Sequence, residues 1–241
     1  MGHLHILPDV RRGTGVVCVA AILIATSPTL HVAEGDVADQ GALPAFRNFL
    51  ALPRIAHQYT ASRRLEASGR GHRAWLDVET NFSTTSGMLY EVTAEGGSGY
   101  VRSRVLRSLL DEEQRLIARR AESRVALTTD NYQFVPEGIN EQGLAVVDMR
   151  PLRKDRGLIA GQMLMTVDGD LQRIEGRLAK NPSFWVTRVN VVRSYRRING
   201  VLMPVSLDTT AQLRLLGASE LRMTYRYSQV DERPVHDEAL E

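Results

Sequence analysis

An alternation of apolar and polar residues with a period of two, repeated between residues 158 and 227, constrains the fold more than any other feature of the sequence. In the run 201–213 the odd positions are apolar or small and most even positions are polar, as in a strand with one buried and one solvated face. The run 221–227 repeats this pattern. The sequence therefore predicts an antiparallel β-meander whose apolar face must be covered by another layer.

Short turn sequences divide this region into strands. Asp168-Gly169 and Asn199-Gly200 are typical of two-residue hairpin turns of the primed type, and Asn199-Gly200 is the stronger signal. Asn181-Pro182 lies between them and predicts a further reversal of the chain. We therefore expect each strand to pair with its neighbour along the sequence.

The residues before the meander predict a smaller set of elements. Residues 43–52 have a short helical pattern that Pro53 ends. Alternating runs lie on both sides of Gly69-Arg70-Gly71, and a third run covers residues 88–95. Two further strands are predicted within residues 132–151.

The longest predicted helix covers residues 100–120 and follows a glycine-rich turn, in which Ser98 is placed to cap the helix. The spacing of this turn fits neither a dinucleotide-binding fingerprint nor a nucleophile elbow. The apolar stripe of the helix consists of Val101, Val105, Leu109, Leu116 and Ile117, and the first four of these are the candidate lid residues. We expect the helix to form a lid over the apolar face of the meander, held there by apolar contacts alone.

Residues 1–33 have the form of an export signal, with two arginines before an apolar segment that is too short to span a bilayer. The alternative is an uncleaved membrane anchor. We expect a linker at 34–42, one folded domain at 43–235 and a polar tail at 236–241. The expected location of the protein is the periplasm.

The chain beyond the signal offers few residues for catalysis or metal binding. The one cysteine of the whole sequence, Cys18, lies inside the signal. The three histidines of the remaining chain lack metal-ligand spacing. No nucleophile, base and orienting residue can be assembled from the pattern. We therefore expect a protein that is not an enzyme and that uses no metal and no cofactor.

Basic residues are concentrated in the connection that precedes the meander. The formal net charge of the whole chain is only +2, which argues against nucleic acid as a partner. The basic run consists of Arg150, Arg153, Lys154 and Arg156. A solvated turn is the first interpretation of this run, and contact with anionic lipid head groups or with an acidic partner is the alternative.

Methionines are concentrated on the strands. All six methionines after Met1 lie in predicted strands, and most of them fall on the inward face. Flexible thioether side chains suit a surface that adapts to varied apolar ligands, although they also fill ordinary cores. The candidate acyl-chain cavity is lined by Met163, Met165, Ile174, Leu178, Met203, Val205, Leu207, Leu221, Met223 and Tyr225.

Several short segments of the meander are similar to those of a known family. They are Gly161-Gln162-Met163, the run 170–176, Tyr195, Asn199-Gly200-Val201 and Pro204. Together with the order of the predicted elements, they make residues 43–235 resemble the LolA-like superfamily, the outer-membrane lipoprotein-sorting proteins of bacteria. The resemblance implies an α+β fold, an incomplete and strongly curved antiparallel β-barrel (a half-barrel) with helices packed in its open side around an apolar cavity.

The same resemblance implies a function. We expect a periplasmic carrier or binding protein for lipidated cargo, which acts as a monomer and without chemistry in outer-membrane lipoprotein sorting. Its partners would be lipoprotein or lipid acyl chains, together with an inner-membrane transporter and an outer-membrane acceptor. The alternative is an envelope regulatory or scaffolding module that binds a protein partner and uses the half-barrel as a packed core.

Overall fold

A computed structural model of the chain describes residues 41–52, 56–214 and 217–235. The predicted signal peptide, most of the predicted linker and the predicted tail lie outside these residues. The described residues form one antiparallel sheet with two longer helical segments packed beside it.

All eleven described strands belong to this sheet. In chain order they are β1 (Gln58–Gly69), β2 (His72–Ser83), β3 (Gly87–Gly97), β4 (Tyr132–Ile139), β5 (Ala145–Pro151), β6 (Ile159–Met165), β7 (Leu171–Leu178), β8 (Val186–Ile198), β9 (Val201–Leu213), β10 (Gly217–Val230) and β11 (Arg233–Pro234). The order across the sheet is β3-β2-β1-β10-β9-β8-β7-β6-β5-β4, and the short β11 pairs with β10. The two ends of this path do not pair with each other, so the sheet is curved but not closed. The predicted α+β half-barrel is confirmed.

The predicted meander is confirmed as the centre of the sheet. Strands β6 to β10 are neighbours in chain order, and each is antiparallel to the next. The Asn199-Gly200 turn has a positive φ at both residues, as the primed hairpin turn requires. The turn type predicted for Asp168-Gly169 was wrong, because only Gly169 has a positive φ and its N–H donates to the Thr166 carbonyl oxygen. A longer connection, residues 166–170, takes the place of the two-residue loop.

A pair of glycines lets two strands of the meander approach closely. Gly161 of β6 lies directly opposite Gly176 of β7. A Cβ atom at Gly161 would lie 2.1 Å from the Glu175 carbonyl oxygen, and one at Gly176 would lie 2.3 Å from that of Ala160. Any larger residue at either position would push the two backbones apart. The absence of side chains at this glycine pair therefore allows the sheet to bend here.

The alternation in β9 is interrupted near its start. The register of β9 with β8 shifts at Val205, which leaves one extra residue in β9. Leu202 consequently packs in the main core of the sheet, whereas Met203 packs in a second, smaller core. The prediction that the odd residues of 201–213 share one face was wrong, because the bulge reverses the parity that strict alternation assumes.

Helix α1 (Ala42–Ala51) packs on one end of the sheet, over β4 and β5. The Phe46 ring lies 5.0 Å from that of Phe134 in β4. The connection between β6 and β7 also lies against this helix, since a Cβ atom at Gly169 would come within 2.5 Å of the Phe49 nitrogen. The helix that the pattern at 43–52 predicted is therefore confirmed, and it buries Phe46 and Phe49 against the sheet.

A second helical segment, the covering helix (residues 99–118), packs over β1, β2 and β3. It consists of α2 (Gly99–Val101), a π-helical stretch (Arg102–Arg107) and α3 (Ser108–Ala118). The Ser98 hydroxyl caps its first turn by accepting a hydrogen bond from the Val101 N–H, as predicted. The covering helix thus lies nearest to the three N-terminal strands, and it reaches the meander through the core that they share.

The buried face of the covering helix differs from the predicted stripe. Its buried residues are Leu106, Leu109, Leu110, Glu113 and Ile117. Of the predicted stripe, Leu109 and Ile117 are buried, whereas Val101, Val105 and Leu116 are half-buried. Most of the predicted stripe therefore lies at the margin of the buried face, and a carboxylate lies near the centre of that face.

Candidate functional site

Six of the ten residues predicted to line an acyl-chain cavity lie together in the main core, with exposed fractions of 6 % or less. They are Met163, Met165, Ile174, Leu178, Leu207 and Met223. Met88 and Met149 extend the same buried surface. The structure therefore joins most of the predicted lining into one core, which also contains the buried apolar residues of both helical segments.

The other four predicted lining residues are distributed differently. Leu221 is half-buried and packs against the main core. Met203 and Val205 belong to the second core, and Tyr225 contacts both cores. A ligand in the main core would therefore contact the first group of residues, and it would not contact Met203 or Val205.

A buried ion pair joins the covering helix to the sheet inside the main core. Arg63 of β1 is 2 % exposed and Glu113 of α3 is 8 % exposed. The Arg63 Nη1 donates to Glu113 Oε2 at 2.7 Å and the Arg63 Nη2 donates to Oε1 at 3.2 Å, a bidentate arrangement. The expectation that apolar contacts alone hold the covering helix was wrong.

Tyrosine side chains surround the Arg63 guanidinium. Its Nη2 also donates to the Tyr59 hydroxyl at 3.1 Å, and its Cζ lies 4.8 Å from the centre of the Tyr225 ring. Burial raises the pKa of Tyr59 to about 12, against the opposing charge of Arg63. Burial lowers the pKa of Arg63, but the charge of Glu113 and the nearby tyrosines more than offset burial and raise this pKa well above its ordinary value. The guanidinium therefore stays positively charged.

A second buried arginine lies close to this pair. Arg193 of β8 is buried, and its guanidinium lies 5.5 Å from the centre of the Tyr195 ring. Burial lowers the pKa of Arg193, while Tyr195, Tyr225 and Glu113 raise it, so that the net shift is upward. Two buried guanidinium groups therefore lie in the field of the Glu113 carboxylate. We call the cluster of Arg63, Glu113 and Arg193 the buried charge cluster.

Polar bonds at the edge of the covering helix attach this helix to β3. The Gln114 side-chain amide donates to the Met88 carbonyl oxygen at 2.9 Å. The Arg102 guanidinium forms an ion pair with Glu95 at 2.9 Å. The attachment of the covering helix therefore combines apolar burial with directional bonds at its centre and at its edge.

Sequence reasoning missed all three residues of the buried charge cluster. Each of them stands at a position where the strand alternation or the helical stripe requires an apolar side chain. Burying one charge alone is costly, so opposite charges at two such positions in one domain indicate a pair. An arginine and a glutamate at such positions were therefore the signal in the sequence from which the ion pair could have been predicted.

A groove of about 700 Å³ opens beside the connection between β5 and β6. Arg153 and Lys154 of the predicted basic run line it, together with Arg177 of β7 and Arg188 of β8. Leu178 is the only predicted cavity residue in its lining. The groove is therefore separate from most of the predicted acyl-chain lining.

The basic run itself is partly engaged within the protein. The Arg150 guanidinium forms an ion pair with Asp148 at 3.1 Å, and the Arg153 Nη1 donates to the Asn131 side-chain oxygen at 2.7 Å. Lys154 is exposed to solvent on the same connection. The run therefore both anchors the connection and presents positive charge to solvent.

Among the residues that the structure describes, no three histidine, cysteine, aspartate or glutamate side chains are grouped closely enough to hold a metal ion. The same residues contain no helix that is long and apolar enough to cross a bilayer.

The sequence matches no family model and no curated protein. Among solved structures, the fold is similar to a DUF1329 family protein from Desulfovibrio piger, with a TM-score of 0.38 and 9 % sequence identity. The alignment covers 80 % of this chain and 92 % of that protein. At this level of similarity the neighbour bears on neither function nor mechanism.

Proposed function

We propose that the protein is a non-catalytic binding protein of the bacterial envelope, located in the periplasm, that accepts the acyl chains of lipidated cargo as a LolA-like carrier would. The acyl chains would lie between the main core of the sheet and the covering helix. The composition of this core supports the proposal, since thioether side chains adapt their shape to varied apolar ligands. Its buried methionines are Met88, Met149, Met163, Met165 and Met223.

The observation that carries the proposal is the way in which the covering helix closes the main core. Its buried face places the Arg63–Glu113 ion pair among leucines. A permanent layer would gain from apolar residues at both positions, because replacing a buried ion pair by apolar side chains is often stabilising. An ion pair is separable in a way that an apolar layer is not, since both charges regain water when the helix moves away.

The length of acyl chain that could displace the helix follows from the apolar area that it covers. Leu106, Leu109, Leu110 and Ile117 each contribute about 2 kcal/mol by burial, or about 8 kcal/mol together. Each methylene of a ligand contributes about 0.8 kcal/mol, so roughly ten methylenes would offset the loss. Chains of palmitoyl length meet this requirement, and octanoyl chains do not.

A titration with a long-chain fluorescent fatty acid tests the proposal. We expect the probe to bind to the purified protein, a palmitoylated lipopeptide to displace it, and the octanoyl analogue of that peptide to leave it bound. Lipid extracts of protein purified from the envelope should contain acyl chains. Absence of probe binding at every chain length, with empty extracts, would contradict the proposal.

A pair of variants locates the binding site. Met163→Phe adds volume to the main core and should lower the affinity for the probe by about fourfold to fifteenfold, since it displaces one or two methylenes of ligand. Leu89→Phe places the same side chain at an exposed position of β3 and should leave the affinity unchanged. Circular dichroism and urea unfolding establish that both variants are folded. Equal effects of the two variants would place the site elsewhere.

The scaffolding alternative is favoured by one observation, the low exposure of the predicted lining residues in this structure. If the main core is permanently filled, no probe should bind and lipid extracts should be empty. Cross-linking in the intact envelope should then recover a protein partner. The same titration therefore separates the two functions.

A further inference from the structure

An exposed aromatic pair occupies the connection between β7 and β8. Phe184 is 72 % exposed and Trp185 is 56 % exposed, and their ring centres lie 5.7 Å apart. The Asn181 side-chain amide donates to the Thr187 carbonyl oxygen at 2.8 Å, which bridges the two ends of the connection. The Trp185 carbonyl oxygen also accepts a hydrogen bond from the Arg214 N–H at 2.9 Å. The two rings are therefore presented to solvent on a backbone held at several points.

Basic side chains flank the aromatic pair. Lys180 precedes it and Arg188 follows it, and both are exposed. The Arg214 guanidinium lies 4.5 Å from the centre of the Phe184 ring. No acidic residue occurs in the run 177–188. The connection thus combines exposed aromatic surface with uncompensated positive charge.

The groove beside this connection adds a third exposed apolar residue, since Asn181 and Arg188, which flank the aromatic pair in sequence, line the groove together with Leu152. Leu152 is exposed and lines the groove next to Lys154, and Arg177 and Arg188 also contribute to its lining. None of the residues that line the groove is acidic. We define the basic–aromatic face as Leu152, Lys154, Arg177, Phe184, Trp185 and Arg188. It carries three basic residues in a chain whose formal net charge is only +2.

We propose that the basic–aromatic face docks on the surface of an anionic phospholipid bilayer. Tryptophan and phenylalanine favour the boundary between head groups and acyl chains, and basic side chains are attracted to a negatively charged surface. Here exposed basic residues are interleaved with exposed apolar ones and no acidic residue lines the groove, the combination with which basic aromatic surfaces bind anionic head groups. This inference goes beyond the proposed function and does not depend on what the main core binds.

Tryptophan fluorescence of the full purified chain tests the docking directly. The sequence contains two tryptophans, Trp75 and Trp185, so the Trp75→Phe protein reports on Trp185 alone. Vesicles of phosphatidylcholine with phosphatidylglycerol should shift its emission to shorter wavelength and sediment the protein. Vesicles of phosphatidylcholine alone should do neither. The intact mass of the protein establishes whether residues 1–33 are present, and all variants share the same N-terminus.

Two double variants separate the apolar and electrostatic contributions. Phe184→Ser with Trp185→Ser should lower cosedimentation with anionic vesicles at least tenfold. Lys154→Gln with Arg188→Gln should lower it about 25-fold, since each basic residue near the surface contributes about fivefold. Leu89→Ser and Arg104→Gln change exposed residues on other elements and should have no effect.

Three outcomes would overturn the proposal. The first is no binding of the unaltered protein to anionic vesicles. The second is binding that both double variants retain, or that the controls lose equally. The third is binding of the face to an acidic protein, measured with polyglutamate beads, in the absence of binding to vesicles. Failure of fatty-acid probe binding leaves this proposal intact, because the basic–aromatic face and the main core are tested by different variants.

Discussion

The interior of the sheet has an apolar region and a polar region, and a lost side chain has different consequences in the two. In the apolar region, methionines and aliphatic residues of β5 to β7 form a core that α1 joins. Loss of a side chain there leaves a void that neighbouring groups partly fill. In the polar region, beneath the covering helix, loss of one member of the buried charge cluster leaves a charge without its partner.

This difference assigns separate roles to the two regions. Apolar side chains of similar volume can replace one another with small losses, so the apolar region requires burial but specifies little about position. A bidentate ion pair has narrow geometric requirements, so the polar region determines where the covering helix lies. The element that the proposed function requires to move is therefore attached through the region that is more sensitive to change.

The largest expected effect comes from removing the carboxylate of the buried charge cluster. Glu113→Leu should lower the free energy of unfolding by about 3–5 kcal/mol, because Arg63 remains buried without its partner. Urea unfolding measures this change. The double variant Arg63→Met with Glu113→Leu should recover most of the loss, since an apolar pair needs no compensating charge.

The neighbouring glutamate provides a matched control for this prediction. Glu112 lies one residue earlier on the same helix, and its side chain is more exposed. Glu112→Leu should change the free energy of unfolding by less than about 0.5 kcal/mol. If Glu113→Leu costs no more than Glu112→Leu, the polar region does not position the covering helix.

Truncation of a side chain in the apolar region should lower the free energy of unfolding less, and an apolar side chain of similar volume should restore most of the loss. Met163→Ala should cost about 2–4 kcal/mol because it leaves a cavity in the main core. Met163→Leu should cost less than about 1.5 kcal/mol, since the volume is nearly conserved. Urea unfolding of both variants, with exposed Leu89→Ala as the control, measures the contrast. Equal losses for Ala and Leu at this position would contradict the description of the region as tolerant of apolar exchange.

Much of the fold could be predicted from the sequence because it depends on local signals. Period-two alternation and the Asn199-Gly200 turn predicted the order of the meander strands, since side-chain parity and turn type act over a few residues. The bulge at Val205 could not be predicted in this way. It depends on how β8 and β9 meet at their paired ends, which is a property of two strands together.

The candidate site was less predictable than the fold. The methionine lining follows from alternation on single strands, and six of its ten residues lie in one core. The Arg63–Glu113 pair joins a strand to a helix fifty residues later, and periodic patterns within one element do not report such pairings. Each charge looked like an interruption of an apolar face. Only the two interruptions taken together predict an ion pair.

The free energy of unfolding should fall at alkaline pH, and both regions should contribute to this fall. The pKa of Tyr59 in the folded protein is raised by burial to about 12, from an ordinary value of 10.0. The unfolded chain therefore loses this proton first, so the associated stability is complete below about pH 10 and is lost as the pH rises towards 12. The loss amounts to about 2–3 kcal/mol. Urea unfolding at a series of pH values from about 8 to about 12, which includes both pKa values, measures this loss.

Phenylalanine substitutions divide this pH dependence between the two regions. Tyr59→Phe should remove the part that belongs to the polar region. Tyr132→Phe should remove a similar part from the apolar region, because burial raises the pKa of Tyr132 to about 12 as well. The Tyr132 hydroxyl also accepts a hydrogen bond from the Ile159 N–H, so this variant should lose additional stability at every pH. An unchanged alkaline slope in both variants would assign the pH dependence to other groups.

The smallest expected effect sharpens the comparison most, because it concerns the residue next to Arg63. Arg64 points to the opposite face of β1, and its Nη1 donates to both carboxylate oxygens of Asp77, at 2.9 and 2.8 Å, with both side chains more than one-third exposed. Asp77→Asn should lower the free energy of unfolding by at most about 1 kcal/mol, and less at high salt, because water and ions screen an exposed pair. Glu113→Gln, measured beside it, should cost several times more and show little dependence on salt. The two pairs share their chemistry and nearly their position in the chain, so a common cost would mean that burial beneath the covering helix adds nothing to the Arg63–Glu113 interaction.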